Sequence, residues 1–357
     1  MNYFLRKALC FVCSLTVLAP VTTHAVTVTT VPIENAGNLG DGSGTMGAVA
    51  YPFRMGKTEI TNSQYVEFLN AVAATDPYSL YKEPVSPSPF AGPACPTCAG
   101  VTRSGTPGAY TYAVKAPVVG QGPGGTSYTY GDKPVVYVTR FDAMRFVNWL
   151  HNGQGSGDTE TGAYTLLGGT PFPTNWETIT RNPGARWWLP SESEWYKAAY
   201  FNPATGLYST YPTRSNSLPN NRLPSADTGN SVNYGCEQGS CTTGKSNYPM
   251  TDVGAYALSP SYYGTFDQGG NAYEWNESII NSSAGKSAGR RGGSWDSFSF
   301  DLAKSNRTLI DVWNLWGGDA QTGFRVGAAA VPEPASSILF AAGLFALAFS
   351  SRRRSRN

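Results

Sequence analysis

Apolar residues recur at helical spacing in three places, and in each a capping box stands just upstream. Thr61 with Gln64 precedes Tyr65, Phe68, Leu69 and Val72. Thr139 with Asp142 precedes Ala143, Phe146, Val147 and Leu150, and Ser191 with Glu194 precedes Trp195, Ala198 and Ala199. A hydroxyl that takes the third helical amide, answered by a side chain reaching back to the cap, fixes a helix start. The spacing behind each box predicts three helices that bury one face in a common core. Between the first two, residues 76–131 are dense in Pro, Gly and Ser and read as an elaborated surface insertion, with a strand-like alternation at residues 109–114. Residues 152–175 and 202–230 read as loops, and the aromatic-rich stretch 262–326 is expected to supply short strands and a binding face. No repeat is visible. The pattern predicts an α+β fold, irregular and loop-rich, in a single domain.

Both ends depart from this pattern. Arg6 and Lys7 are followed by an apolar run from Ala8 to Val21 and then Thr23-His24-Ala25, which reads as a secretory signal peptide, residues 1–25. At the other end Pro332-Glu333-Pro334 precedes an apolar segment, residues 335–349, and a basic run with Arg352, Arg353, Arg354 and Arg356. Fifteen helical residues rise only about 22 Å against the ~30 Å of a hydrocarbon core, so this is a marginal span, suited to a temporary stop with its arginines on the cytoplasmic side.

Composition narrows the chemistry. With both ends removed, 20 Lys and Arg face 23 Asp and Glu, a net charge of −3, which excludes a nucleic-acid binder. Four cysteines remain as two local pairs, Cys95/Cys98 and Cys236/Cys241, and in an oxidising compartment two short-loop disulfides are the expected arrangement. A four-thiolate zinc site would need the two pairs to meet in space. His151 is the one histidine outside the signal peptide, too few for a multi-histidine metal centre, and its place after the second helix suits a C-terminal cap.

The helices and their flanks then form an ordered series. Lys57-Thr58-Glu59-Ile60-Thr61-Asn62 comes first, followed by Lys133-Pro134-Val135-Val136 and Trp188-Leu189-Pro190-Ser191. Gly270-Asn271-Ala272-Tyr273-Glu274-Trp275, Arg291-Gly292-Gly293-Ser294-Trp295 and Gly323-Phe324-Arg325-Val326 complete it. The series resembles the formylglycine-generating-enzyme (sulfatase-modifying factor) domain, a variant of the C-type-lectin fold, over about residues 45–328 of a domain spanning 26–330. Residues 331–357 resemble the PEP-CTERM sorting tail, whose Pro-Glu-Pro motif, short span and arginines are read and removed by an exosortase. That likeness implies export through the inner membrane, a transient membrane anchor, and delivery to the surface or extracellular matrix of a Gram-negative-type bacterium.

The family likeness implies a structural calcium held by backbone carbonyls and a glutamate, which falls here on Gly269, Gly270, Ala272 and Glu274. A second calcium site would fall near Asn233 and Tyr234. The turn of small residues ahead of Glu274 suits a hard cation, and a buried salt bridge is the alternative role for that carboxylate. Active members of the family bind copper through two cysteines after the Arg-Gly-Gly-Ser motif. From Arg291 to Val326 this chain has no cysteine, and serine cannot replace a soft thiolate at copper(I), so no copper and no formylglycine chemistry are expected. Carboxylate pairs drawn from Glu274, Glu277, Asp296 or Asp301 have no hydrolase motif behind them. The expectation is a non-catalytic recognition or structural protein for an extracellular polysaccharide or a surface protein, and the alternative is an enzyme, either an oxidase of this family or an unrecognised hydrolase. Trp295, Trp313, Asn314 and Trp316 are the candidate contacts, with residues 311–316 as the recognition loop; Phe298 and Phe300 belong to the same aromatic set, and a core or loop anchor is the alternative role for each ring.

Overall fold

A computed structural model of the protein describes residues 25–84, 95–236, 239, 241–282, 285–311 and 318–330. The three capping boxes start the three α-helices: α1, Asn62–Val72, behind Thr61; α2, Arg140–His151, behind Thr139; and α3, Glu192–Tyr200, behind Ser191. In each, the cap hydroxyl accepts the third helical amide and the third side chain accepts the cap amide.

The strands are short. β1 (Thr30–Ile33) and β2 (Phe53–Gly56) precede α1; β3 (Val101–Ser104) and β4 (Thr111–Val114) lie in the insertion; β5 (Trp187–Trp188) precedes α3. β6 (Phe201–Asn202) and β7 (Leu207–Tyr208) form a small hairpin after it. The C-terminal part supplies β8 (Tyr273–Ser282), β9 (Gly285–Arg291), β10 (Thr308–Asp311), β11 (Thr322–Phe324) and β12 (Gly327–Ala329). One four-stranded sheet runs β1-β2-β12-β5, so the end of the domain returns to pair with its beginning. A second runs β10-β9-β8-β11, with β11 parallel to β8 and a register shift in β8 between Trp275 and Ile279.

The main core lies where α1 and α2 meet these sheets. Phe68 and Phe146 are fully buried and meet edge to face at 5.3 Å, and Phe146 meets Phe324 of β11 at 5.4 Å. Rings buried in this way contribute about 1.5–3 kcal/mol each by removal from water, with a further contribution from their quadrupoles. The insertion is fastened to this core. Asn70 of α1 exchanges two hydrogen bonds, both 2.9 Å, with the backbone of Tyr112 in β4, and Tyr112 donates its hydroxyl to Ala73 O at 2.8 Å.

Two helices differ from the one-face expectation. Residues 140–150 of α2 are all buried, because the segment 152–175 wraps its outer side: Arg145 is tied to Glu160 at 2.6 and 3.0 Å and to the carbonyls of Thr170 and Pro171. α3 is not part of the common core on its aromatic side. There Trp195, Tyr196, Tyr200, Phe201 and Tyr208 form a separate cluster. Loops that carry polar partners inward turn a helix designed with one apolar face into a middle layer.

Candidate functional site

The order of the motifs converges on one place. β11 runs parallel to β8 with Gly323 opposite Glu274, and Arg325 follows directly. Its guanidinium grips the Glu274 carboxylate with Nε at 2.5 Å from one oxygen and Nη2 at 2.6 Å from the other, and both side chains are fully buried. The Trp195 indole of α3 donates to the same carboxylate at 2.7 Å. Arg325 also donates to the carbonyls of Gly56 (3.0 Å) and Phe266 (2.7 Å), so this ion pair joins β2, α3, β8 and β11.

Two more buried carboxyls stand nearby. Glu59 places one oxygen 3.4 Å from the Asn271 amide and leaves the other without a partner, and Asp267 accepts from Gly254 N at 2.5 Å. Burial, reinforced by Asp267 and Glu274, pushes Glu59 well above the usual carboxylate range. Burial likewise pushes Asp267 up to about 6, against the opposing pull of the Gly254 amide and Arg325.

The turn ahead of Glu274 is shaped by two residues in left-handed conformation, Gly270 (φ 75°) and Asn271 (φ 61°). A Cβ on Gly270 would lie 2.1 Å from the carbonyl oxygen of Asn233, so only glycine fits there. Asn271 donates its amide to Asn233 O (2.8 Å) and its carbonyl takes Trp295 N (2.9 Å), which locks this turn to the Arg-Gly-Gly-Ser turn.

This geometry bears on the calcium expectation at Glu274. Calcium would need the carboxylate that the Arg325 cation already holds on both oxygens, and a divalent ion beside a fixed guanidinium is repelled. In this arrangement Glu274 has the salt-bridge role, the alternative named for it from the sequence. Of the other residues in the expected set, Gly269 packs on Pro212, and Ala272 is buried in a cluster with Trp295. Asn233 keeps a buried, unpartnered Oδ1, and Tyr234 donates its hydroxyl to Pro219 O at 2.9 Å. Among the described residues no group of three or more His, Cys, Asp or Glu is placed to hold a metal ion.

The other candidates separate in space. Cys95 is bonded to Cys98 and Cys236 to Cys241, and both pairs lie in the apolar cluster that contains Trp295. Trp295 is 3% exposed and donates its indole to Ala320 O at 3.1 Å, so it anchors the core and is not a surface contact. Trp313, Asn314 and Trp316, with Pro332, Glu333, Pro334, Arg352, Arg353 and Arg354, lie outside the described residues.

Glu277 belongs to a different network from Glu274: it accepts from Arg181 at 2.7 and 3.1 Å and from the Tyr164 hydroxyl at 2.6 Å. Asp301 accepts from Phe298 N and Asn306, and Asp296 from Gln321. His151 does not cap its helix as a cation. Its Nδ1 accepts the amide of Arg186 at 3.0 Å, and burial together with the Arg186 charge lowers its basicity.

Residues 34–329 match the sulfatase-modifying factor enzyme 1-like domain. The chain belongs to that family. Residues 330–354 match the PEP-CTERM protein-sorting motif, which makes this family member an exported protein of the cell envelope or surface and a substrate of exosortase processing. No curated protein matches it.

Among solved structures, the crystal structure of CarF is similar at 18% identity and a TM-score of 0.50, covering 86% of this chain and 100% of CarF. Treponema denticola variable protein 1 (20% identity, TM-score 0.48; 87% and 100% covered) and PvdO from Pseudomonas aeruginosa (15%, 0.41; 85% and 92%) are also similar. The likeness to CarF shows the fold that this sulfatase-modifying factor-like domain adopts.

What sequence reasoning missed was the partner of Glu274. The signal was present in Gly323-Phe324-Arg325-Val326, an arginine enclosed by apolar residues near the end of the domain, which requires a buried anion.

Proposed function

We propose that this exported sulfatase-modifying factor-like protein is a non-catalytic recognition protein whose ligand is an extracellular glycan. The observation that carries the reading is the state of the segment after the Arg-Gly-Gly-Ser turn. It has no thiol, and Asp296, Ser297, Asp301 and Asn306 are bonded within the fold, while two phenyl rings face solvent. Arg291 pairs with Glu192 at 2.7 Å, and the hydroxyls of Ser294 and Ser297 lie 3.3 Å apart. Phe298 and Phe300 are 37% and 61% exposed and stack in parallel, with centroids 5.4 Å apart and planes within 8°.

Two exposed rings stacked in parallel offer apolar aromatic surface, and the apolar face of a sugar ring is a natural complement to an exposed ring face. In this reading Arg325 supplies the positive charge at Glu274 that calcium was expected to supply, so recognition does not depend on a metal there.

The test is calorimetry of the mature protein with the extracellular polysaccharide of the producing bacterium, on the native chain and on Phe298→Ala/Phe300→Ala. Saturable heat that the double variant weakens about tenfold, some 1.4 kcal/mol, supports the reading. Absence of heat, or heat the variant leaves unchanged, removes the aromatic platform as the glycan site.

A further inference from the structure

A second ligand-sized feature lies away from the aromatic platform. A cavity of about 330 Å³ opens between three segments: Pro123–Thr129 of the insertion, Leu223–Ser225, and Thr251–Ala255. This volume falls at the lower end of the ~300–1,000 Å³ typical of small-molecule sites.

The walls are fastened from behind. Residues 118 and 128 bridge through two backbone hydrogen bonds, 3.0 and 2.9 Å, and Lys245 Nζ holds the same hairpin through Gly120 O at 2.6 Å and Gln121 Oε1 at 3.0 Å. On the opposite side, Asp227 follows the Pro224–Ala226 turn and takes the Leu258 amide at 2.7 Å and the Ser259 hydroxyl at 2.6 Å. The third wall is tied by Val253 N to Asp132 O at 2.8 Å. A cavity built this way is preformed, and a ligand does not have to order it.

The lining chemistry selects among ligand classes. Lys133 is 3% exposed, with its ammonium 2.5 Å from Asp252 Oδ1 and 4.4 Å from the centre of the Tyr128 ring. The Asp252 side chain is 48% exposed. A mineral anion entering here meets the Asp252 carboxylate, and a cation meets the Lys133 ammonium, so neither finds an uncompensated opposite charge. A neutral ligand with several hydroxyls meets complementary groups instead: a carboxylate that accepts, exposed hydroxyls of Ser127, Thr129 and Ser225 that donate and accept, and apolar surface from Leu223 and Pro224.

We propose that this cavity binds one residue of a neutral saccharide. The proposal stands independently of the aromatic platform.

The experiment uses the mature protein with neutral gluco-, galacto- and mannotrisaccharides, a trigalacturonate and inorganic phosphate, followed by saturation-transfer NMR and calorimetry. Ser127→Trp fills the mouth from an exposed position. Asp252→Asn removes the acceptor charge, with thermal melting to confirm that each variant folds. The expected result is saturable binding of a neutral trisaccharide, weakened at least about tenfold by Ser127→Trp and left unchanged by Phe298→Ala/Phe300→Ala. The proposal is overturned by absence of any neutral binding up to about 10 mM, by tighter binding of trigalacturonate or phosphate, or by full affinity in Ser127→Trp. Loss of binding in the phenylalanine variant alone assigns the sugar to the platform and also overturns the proposal.

Discussion

Replacing Arg325 by methionine tests whether the guanidinium, and no metal ion, holds the centre of the domain. The substitution keeps a long unbranched side chain but removes the two bonds of 2.5 and 2.6 Å to Glu274 and those to Gly56 and Phe266. The carboxylate would retain Trp195 while Glu59 and Asp267 stand close by, so a buried charge loses its compensation. Breaking one side of a buried pair costs about 3–5 kcal/mol. With an unfolding entropy of ~2.1 cal/mol/K per residue over roughly 300 residues, that lowers Tm by about 5–8 °C.

The pH dependence sharpens the test. An orphaned buried carboxylate can escape its penalty only by taking up a proton, so Arg325→Met should lose more stability at pH 8 than at pH 5. Glu274→Leu/Arg325→Met removes both charges and should recover most of the loss, since apolar replacement of a whole buried pair is often neutral. Differential scanning calorimetry on the three proteins measures this. A single variant within about 1 kcal/mol of the native protein, or a double variant no better than the single, would refute the assignment.

Further predictions follow from the same geometry. Exhaustive chelation should leave Tm unchanged, because Glu274 already carries its cation; a fall of several degrees restored by calcium would return a metal to the turn. Glu59 and Asp267 have raised folded-state values, Asp267 to about 6, so the native state holds protons that the unfolded chain releases above about pH 4. Their contribution is present below that pH and is lost as pH rises through the folded-state values, about 6 for Asp267, and Asp267→Asn should flatten this part of the stability curve in urea titrations. Phe146→Ala should cost about 3–5 kcal/mol, read as a lower urea midpoint, since its ring fills the space between Phe68 and Phe324. Replacing Glu333 or the arginine cluster should leave an unprocessed form in membrane fractions, and normal release would contradict recognition of the tail by exosortase.

The sequence announced the fold through features that act locally. A capping box is complete within four residues, so Thr61, Thr139 and Ser191 could be read directly as helix starts, and all three boxes are formed. Burial of a helix on its second side depends on what a distant loop brings to it. Arg145 is buried because Glu160 and the carbonyls of residues 170 and 171 are placed over it. Trp295 shows the same limit for the site. Aromatics in a loop-rich region can be platforms or anchors, and the deciding fact is a hydrogen bond to Ala320, a residue 25 positions away. Phe298 and Phe300 carry the opposite outcome three and five residues later, because the short helix Ser299–Leu302 turns them outward while Leu302 enters the fold.

The division between fixed and variable parts has a consequence for how such a scaffold takes on new ligands. The Glu274–Arg325 pair is held by backbone carbonyls of β2 and of residue 266, by an indole of α3 and by the register of β8 with β11. The aromatic platform stands on residues 298–300, and two of the three walls of the cavity on residues 118–129 and 223–227, outside that set of contacts. Apart from Asp252, which pairs the buried Lys133 ammonium, substitutions on these surfaces therefore alter exposed groups without uncovering a buried charge, and exposed positions of this kind usually change stability by less than about 0.5 kcal/mol. A chain without thiols after its Arg-Gly-Gly-Ser turn can keep this architecture because the groups that meet at its centre, the ion pair with its backbone acceptors and the apolar core beside it, take no part in thiol chemistry.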